Sequence, residues 1–589
     1  MIFNTTDNWQ NIIQLESLLF FVQRIQELSY DHSEFLEKNI SATVQDIIDE
    51  YIELLETYEK FSLSVNAKEV DLLQEELEQK IKNDPISTQL IGDKLKEYII
   101  SLKDGNEKNK INTLELLKLK LSPKNYLKTL RKHINEILQQ PKQKGKIHNI
   151  ATLMFEFLIS NGYAKGTIYH FINTTFFNKK QKITKNEDIN LFLDKFDLRD
   201  RVYDVYFHCS KLFDEIQDSC SEFNAEIIEN KDFEYNSKAE KIFFKRNNSR
   251  SIIKCNNVKA KDYLGAMKRA EDLISRISDI FTLFHHKKKV WISNYCLVRD
   301  DHKKRAFQAN ATMNSMSKLH DYDIEDTKEI LPVFIGKFGL LDDSLKRFTR
   351  AIDIHSLSLE TKDASSQILN LWICLETLLI NTKDSHISSI ENAIQTVISN
   401  QYLKHRVDIL CVYLKEWNSD LFYRVVQQLP ELWRVSDIRS TLALVALKEF
   451  EPQAELLLAE MNEVPLLRYK FMLLVKEFQN KELIKKSKKF IEEKSIKDIR
   501  RVYRTRNRIV HQGALIQRGE NIVEIAHYYL DMIINFVVLS KIRYESINSI
   551  DNFLLEQSTI KKHHDKFINS SDISSKNIIS IIFGPDNKI

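Results

Sequence analysis

Glycine and proline are scarce in this chain, at 11 and 8 of 589 residues. Both interrupt helices and populate turns. Their shortage, with Leu, Ile, Lys and Glu dominant, predicts a mainly α-helical protein. The six cysteines are Cys209, Cys220, Cys255, Cys296, Cys374 and Cys411, and none stands in a C-x-x-C pair. They read as small buried residues of a reducing cytosol, not as zinc ligands or disulfides. The chain has no Walker-type phosphate loop, no G-x-G-x-x-G and no H-E-x-x-H. Nucleotide-driven and zinc-hydrolytic readings lose their usual support, and neither a cofactor nor a metal site is expected. The first residues lack the charged and apolar regions of a signal peptide. No uncharged apolar run of about 18 residues occurs. A cytoplasmic protein with no membrane span is therefore expected. An excess of one charge sign is also missing, since 86 Lys and Arg face 83 Asp and Glu. The chain is not a polycation, so any affinity for nucleic acid has to come from local patches.

What is present divides the chain into regions. Residues 1–195 read as helices separated by short polar breaks. Leu18 to Val22 is a buried core segment, and the aromatics Tyr163, Tyr169, Phe171, Phe176 and Phe177 read as core. Residues 196–335 read as a small α+β domain suited to sensing. Its strand candidates are Val202–Cys209, Ala225–Ile228, Lys241–Lys245, Ile252–Cys255 and Val290–Val298, with an amphipathic helix from Asp262 to Phe284. Residues 336–548 are helical again, with 385–495 read as an insert. A polar tail, 549–589, ends in an apolar patch at Ile578–Phe583 that is expected to dock on the body.

The densest chemistry lies in 500–513, which carries five arginines, Asn507 and His511 and stops at Gly513. Arginine supplies fixed forks for phosphate, and histidine moves protons near neutral pH. Ser495 and Asp498 read as a capped start for this helix, and Gly513 as its left-handed end. At 100° per residue, Ile499, Val502, Tyr503, Ile509 and Val510 form one apolar stripe. Arg506 falls inside that stripe, where a charge needs a partner. Asn507 and His511, four apart, share a neighbouring face flanked by Arg504 and Arg508. Arg500, Arg501, Arg504 and Arg508 read as a solvated basic face that at most touches phosphates, with Arg501, Arg504 and Arg508 the candidates for RNA contact.

A partner for Arg506 is available on the apolar helix Ile368–Ile380. Glu376 shares a face there with Leu369, Trp372, Ile373, Leu379 and Ile380. Pairing Glu376 with Arg506 would satisfy both charges.

Arg506-Asn507-x-x-x-His511 resembles the R-x4-H motif of the HEPN superfamily, including the polar residue after the arginine. Leu371-Trp372-x-x-Leu375-Glu376-x-Leu378-Leu379 resembles the Apea-like branch of that superfamily. A second R-x4-H spacing, Arg350 to His355, lacks the polar second residue and reads as an ordinary early helix of the same region. The resemblance implies a small helical bundle that pairs as a homodimer or a higher even oligomer. It further implies a metal-independent endoribonuclease of the phage-defence type, set off by a trigger such as a phage product and cutting RNA, tRNA among the candidates. Some members are catalytically silent and act as binding subunits. The carried-over catalytic set is Arg506, Asn507 and His511, with Glu376 in support.

Overall fold

The computed structural model describes residues 1–583 apart from 35–40, 62–66, 229–236, 246–250, 288–289, 301–304, 311–312, 319–323, 338, 381–385, 514–518, 545 and 571–572. Helix takes up 73% of the chain and strand only 8%, so the mainly α expectation holds. The chain forms two compact units, one of residues 2–31 and 38–312, the other of residues 1, 32–37 and 313–589.

The first unit opens with helices α1 (Glu16–Ser29), α2 (Val44–Phe61), α3 (Ala67–Asn83), α4 (Pro85–Ile91), α5 (Leu95–Asp104), α6 (Glu107–Lys120), α7 (Pro123–Leu138), α8 (Lys144–Ser160) and α9 (Lys165–Phe176), single turns aside. Leu18 to Val22 on α1 are fully buried against α8 and α9, as expected. The buried Arg24 guanidinium is matched by Glu27 at 2.7 Å, one turn on. Of the aromatics expected in the core, Tyr163 and Phe176 are buried and Tyr169, Phe171 and Phe177 half-buried, with Tyr163 edge-on to Phe196 at 5.0 Å.

The same unit carries a five-stranded antiparallel sheet in the order β2-β3-β1-β4-β5. The strands are β1 (Arg201–Cys209), β2 (Ala225–Ile228), β3 (Ser251–Ala260), β4 (Ile292–Asp300) and β5 (Arg305–Asn310). Alternation sends Val205, Phe207 and Cys209 to one face, under helix α11 (Tyr263–Phe284). Tyr206 faces the other way, toward Phe243 and Phe244. Those two phenylalanines lie on α10 (Lys238–Lys245), which corrects the strand expected at 241–245. The β-forming Ile-Phe-Phe run is outweighed by the helix formers Lys, Ala and Glu around it, and burying both rings needs only one helical face. β5 was not anticipated. It is short, mixed in composition and held by its pairing with β4.

The second unit is helical: α12 (Ile324–Lys337), α13 (Asp342–Glu360), α14 (Ala364–Leu379), α15 (His386–Val426), α16 (Asp437–Ala446), α17 (Glu451–Glu460), α18 (Pro465–Phe478), α19 (Lys481–Gln512), α20 (Gly519–Arg543), α21 (Ile550–Ser570) and α22 (Ile578–Phe583). α14 sits against α13, α19 and α20, and α15 runs beside α19. α15 is interrupted at Asn418 (φ −157°, ψ 87°), whose Oδ1 accepts from the Leu421 N–H at 3.0 Å and restarts the helix. Trp372, Ile390, Ile394, Ile491, Ile499, Val502, Tyr529 and Ile533 share one core. Both ends of the 385–495 stretch are therefore built into the bundle. α20 is long and apolar enough to cross a membrane by length and composition. Here Val523, Ala526, Leu530 and Val537 are core residues, and Asp531 interrupts its apolar run. At the end of the unit, Ile578, Ile581 and Ile582 are buried on the bundle, as the apolar patch suggested.

Candidate functional site

The motif helix is longer than its residues suggested. α19 begins at Lys481, capped by Asn480 Oδ1 accepting from the N–H groups of Glu482 and Leu483 at 3.0 and 3.3 Å. Ser495 and Asp498 do not start it; both are buried mid-helix. Ser495 Oγ bonds back to the Glu492 carbonyl at 2.9 Å. Asp498 takes Lys494 at 2.7 Å and the Tyr529 hydroxyl at 2.9 Å. Cap-forming residue types turn up inside helices when tertiary partners satisfy them. The far end is as expected. Gly513 has φ 59°, and its N–H reaches the carbonyls of Arg508 and Ile509.

Burial along α19 reverses the expected assignment of its arginines. Arg500, Arg501 and Arg504 are buried, at 5%, 8% and 7% exposure. Arg506, Asn507 and Arg508 are half-buried, and Val510, His511 and Gln512 are exposed. The reason is where the bundle ends. Ile499 and Val502 lie fully in the core, while the last turn of α19 climbs out of it. The apolar stripe therefore stops short of Val510.

The expected Glu376–Arg506 ion pair does not form; no contact within ion-pair distance joins these two described residues. Glu376 is half-buried beside the exposed Ile373. The buried carboxylate partner on this helix belongs to a different pair. Arg500 Nε lies 2.5 Å from Glu391 Oε1, and its Nη2 donates to Oε2 at 3.0 Å. The α14–α19 contact is instead aromatic, with the Trp372 and Tyr503 rings 5.3 Å apart.

Arg506 is occupied nearer home. Its Nη1 donates to Asn507 Oδ1 at 3.1 Å. That bond orients the Asn507 carboxamide and leaves its N–H groups for other acceptors. His511 stands one turn further on, in solvent. The structure thus brings Arg506 and Asn507 together and presents His511 beside them on the helix. It does not bring Glu376 into the group, and it buries Arg501 and Arg504, two of the three arginines expected to meet RNA.

A second constellation was missed. His355 on α13 and His527 on α20 face each other Nε2 to Nε2 at 2.9 Å. Their rings stack at 5.1 Å. Asp531, one turn after His527, places Oδ2 3.1 Å from His527 Nε2 and Oδ1 3.4 Å from His355 Nε2. Burial pushes the Asp531 carboxyl up, but hydrogen bonds from His355 and His527 hold it below the usual carboxylate range. His-x-x-x-Asp on one helix was legible as a shared face. Its third member, 172 residues away, was not.

No family model matches the chain, and neither the curated proteins nor the solved structures hold a match to it.

Proposed function

We propose that this chain is a metal-independent endoribonuclease of the HEPN type, working as a homodimer or a higher even oligomer in antiphage defence. One observation carries the reading. An exposed histidine ends a helix that emerges from the bundle, and a hydrogen-bonded Arg506–Asn507 pair lies one turn behind it. RNA supplies its own nucleophile, the 2′-hydroxyl. His511 of one copy takes the 2′-hydroxyl proton as that oxygen bonds to phosphorus. His511 of the second copy gives a proton to the departing 5′-oxygen. Arg506 and the free N–H groups of Asn507 hold the phosphate oxygens as charge builds on them. Arg508 remains as a further phosphate contact. The products carry a 2′,3′-cyclic phosphate and a 5′-hydroxyl. The unit of residues 2–31 and 38–312 is a large addition to such an enzyme and serves as a sensor of the trigger.

The burial of Arg501 and Arg504 favours a second reading, a catalytically silent binding subunit with a reduced cationic face. Incubating the purified protein with total RNA, with and without EDTA, and mapping the ends separates the two. Cleavage that survives EDTA and leaves cyclic phosphate ends supports the enzyme. Retention of RNA without cleavage under every trigger tried supports the subunit. Strict magnesium dependence with 5′-phosphate ends removes the role given to His511.

A further inference from the structure

His355, His527 and Asp531 bring ligand atoms from two helices to within 4.8 Å of one another. An imidazole Nε2 carries either one proton or one lone pair. If both rings are protonated there, two N–H groups confront each other across 2.9 Å. If His527 donates to Asp531, it is not free to bridge to His355. The His355 lone pair then faces the same carboxylate. No single protonation state turns all three of these contacts into good hydrogen bonds. A cation held among them takes the lone pairs of both rings and of the carboxylate at once. A tetrahedral ion with bonds of about 2.0–2.1 Å sets its donors roughly 3.3 Å apart; here the two Nε2 atoms are 2.9 Å apart, and Asp531 presents Oδ2 to His527 at 3.1 Å and Oδ1 to His355 at 3.4 Å. Two imidazoles and one carboxylate are also a donor set that divalent first-row ions favour, with remaining positions left to water. The setting is suitable as well. His527 is buried at 4% side-chain exposure, which fixes its ring, while His355 and Asp531 at 20% and 31% leave a path from solvent.

We propose that His355, His527 and Asp531 form a binding site for one divalent first-row transition-metal ion. The ion ties α13 to α20, two helices that each pack on α14. The inference does not rest on the ribonuclease reading. It uses none of Arg506, Asn507 or His511, and chelation is expected to empty the site whether or not RNA is cut.

The test uses the full chain stripped with a chelator, then titrated with Zn2+ alone by calorimetry and with Co2+ followed by visible absorption. Expected are one ion per chain, a rise in Tm on Zn2+ addition, and Co2+ d–d bands of a nitrogen–oxygen site. His355→Ala and Asp531→Asn should each weaken binding at least roughly tenfold and alter or abolish those bands. Both residues are partly exposed, so both variants should fold, and circular dichroism checks this. His355→Cys, a soft donor at the same place, should keep the ion and shift the Co2+ spectrum toward thiolate charge transfer. Absence of binding to the stripped wild-type chain overturns the proposal. Equal affinity and identical spectra in wild type, His355→Ala and Asp531→Asn would overturn it too, since the ion would then sit elsewhere.

Discussion

Arg500 and Glu391 form a buried ion pair between α19 and α15, with Nε and Oε1 2.5 Å apart. It is the role that residue types assigned to Arg506 and Glu376. The difference matters for mutation. Glu391→Ala leaves the Arg500 guanidinium buried without its carboxylate, and such a loss costs about 3–5 kcal/mol. Glu376→Ala removes a half-buried carboxylate that makes no ion pair with Arg506, and the change should stay within about 1 kcal/mol. Urea unfolding of the two variants measures both. A Glu376 variant as unstable as the Glu391 variant contradicts the assignment.

His511→Ala should abolish RNA cleavage with Tm unchanged, because the side chain is exposed. Arg506→Ala should abolish it too, with a stability loss of about 1 kcal/mol from its hydrogen bond to Asn507. Measured rates on a labelled RNA, beside thermal melts, test both. A folded His511→Ala protein that cuts at the wild-type rate ends the catalytic assignment.

DNA of the same sequence should resist cleavage, since it has no 2′-hydroxyl. A single 2′-deoxy substitution placed before a mapped cleavage site should block that site alone. Cutting at the substituted position would show that water, not the RNA, is the nucleophile.

One chain carries one such histidine, and the proposed scheme uses one imidazole to accept a proton and another to donate one. Sedimentation should therefore show a dimer or larger even assembly, and specific activity should fall on dilution through its dissociation range. Undiminished specific activity from a strict monomer would rule out the shared site.

The docked end of the second unit should be sensitive to acid. His564 on α21 meets the Ile581 carbonyl through Nε2, which must be the donor, so Nδ1 presents its lone pair to Lys488 at 3.4 Å. Burial, with the Lys488 charge adding to it, lowers the His564 pKa from 6.5 to about 4. Below about pH 6.5 the unfolded chain binds a proton that the folded chain refuses. The stability present above 6.5 is thus lost as pH falls toward 4, by on the order of 3 kcal/mol. Hydrogen exchange of α22 at pH 7 and pH 5 reads this directly. Protection factors, taken against the intrinsic exchange rate at each pH, should fall at pH 5, and His564→Gln should flatten the difference. Equal protection at both values would mean that His564 does not hold α22.

Local chemistry was legible where the deciding forces act within a few residues. Gly513 takes the left-handed conformation that ends α19, and Asp262 caps α11 by accepting from the Gly265 N–H at 2.7 Å. Leu18 to Val22 are apolar on every side, so no docking direction could have exposed them. The alternation of β1 needs only the two-residue period of a strand. Within α19 the choice was different. Periodicity gives a helix its faces but not the point at which it leaves the bundle. Arg500, Arg501 and Arg504 lie where neighbouring helices enclose α19, and Arg506 lies where they no longer do. Glu391 lay within a stretch read as an insert, so no reading of adjacent residues could pair it with Arg500. His355, His527 and Asp531 converge only because α13 and α20 both pack on α14. Such convergence is settled by tertiary packing, since a side chain's reach of a few ångströms carries no trace in the order of residues 172 positions apart.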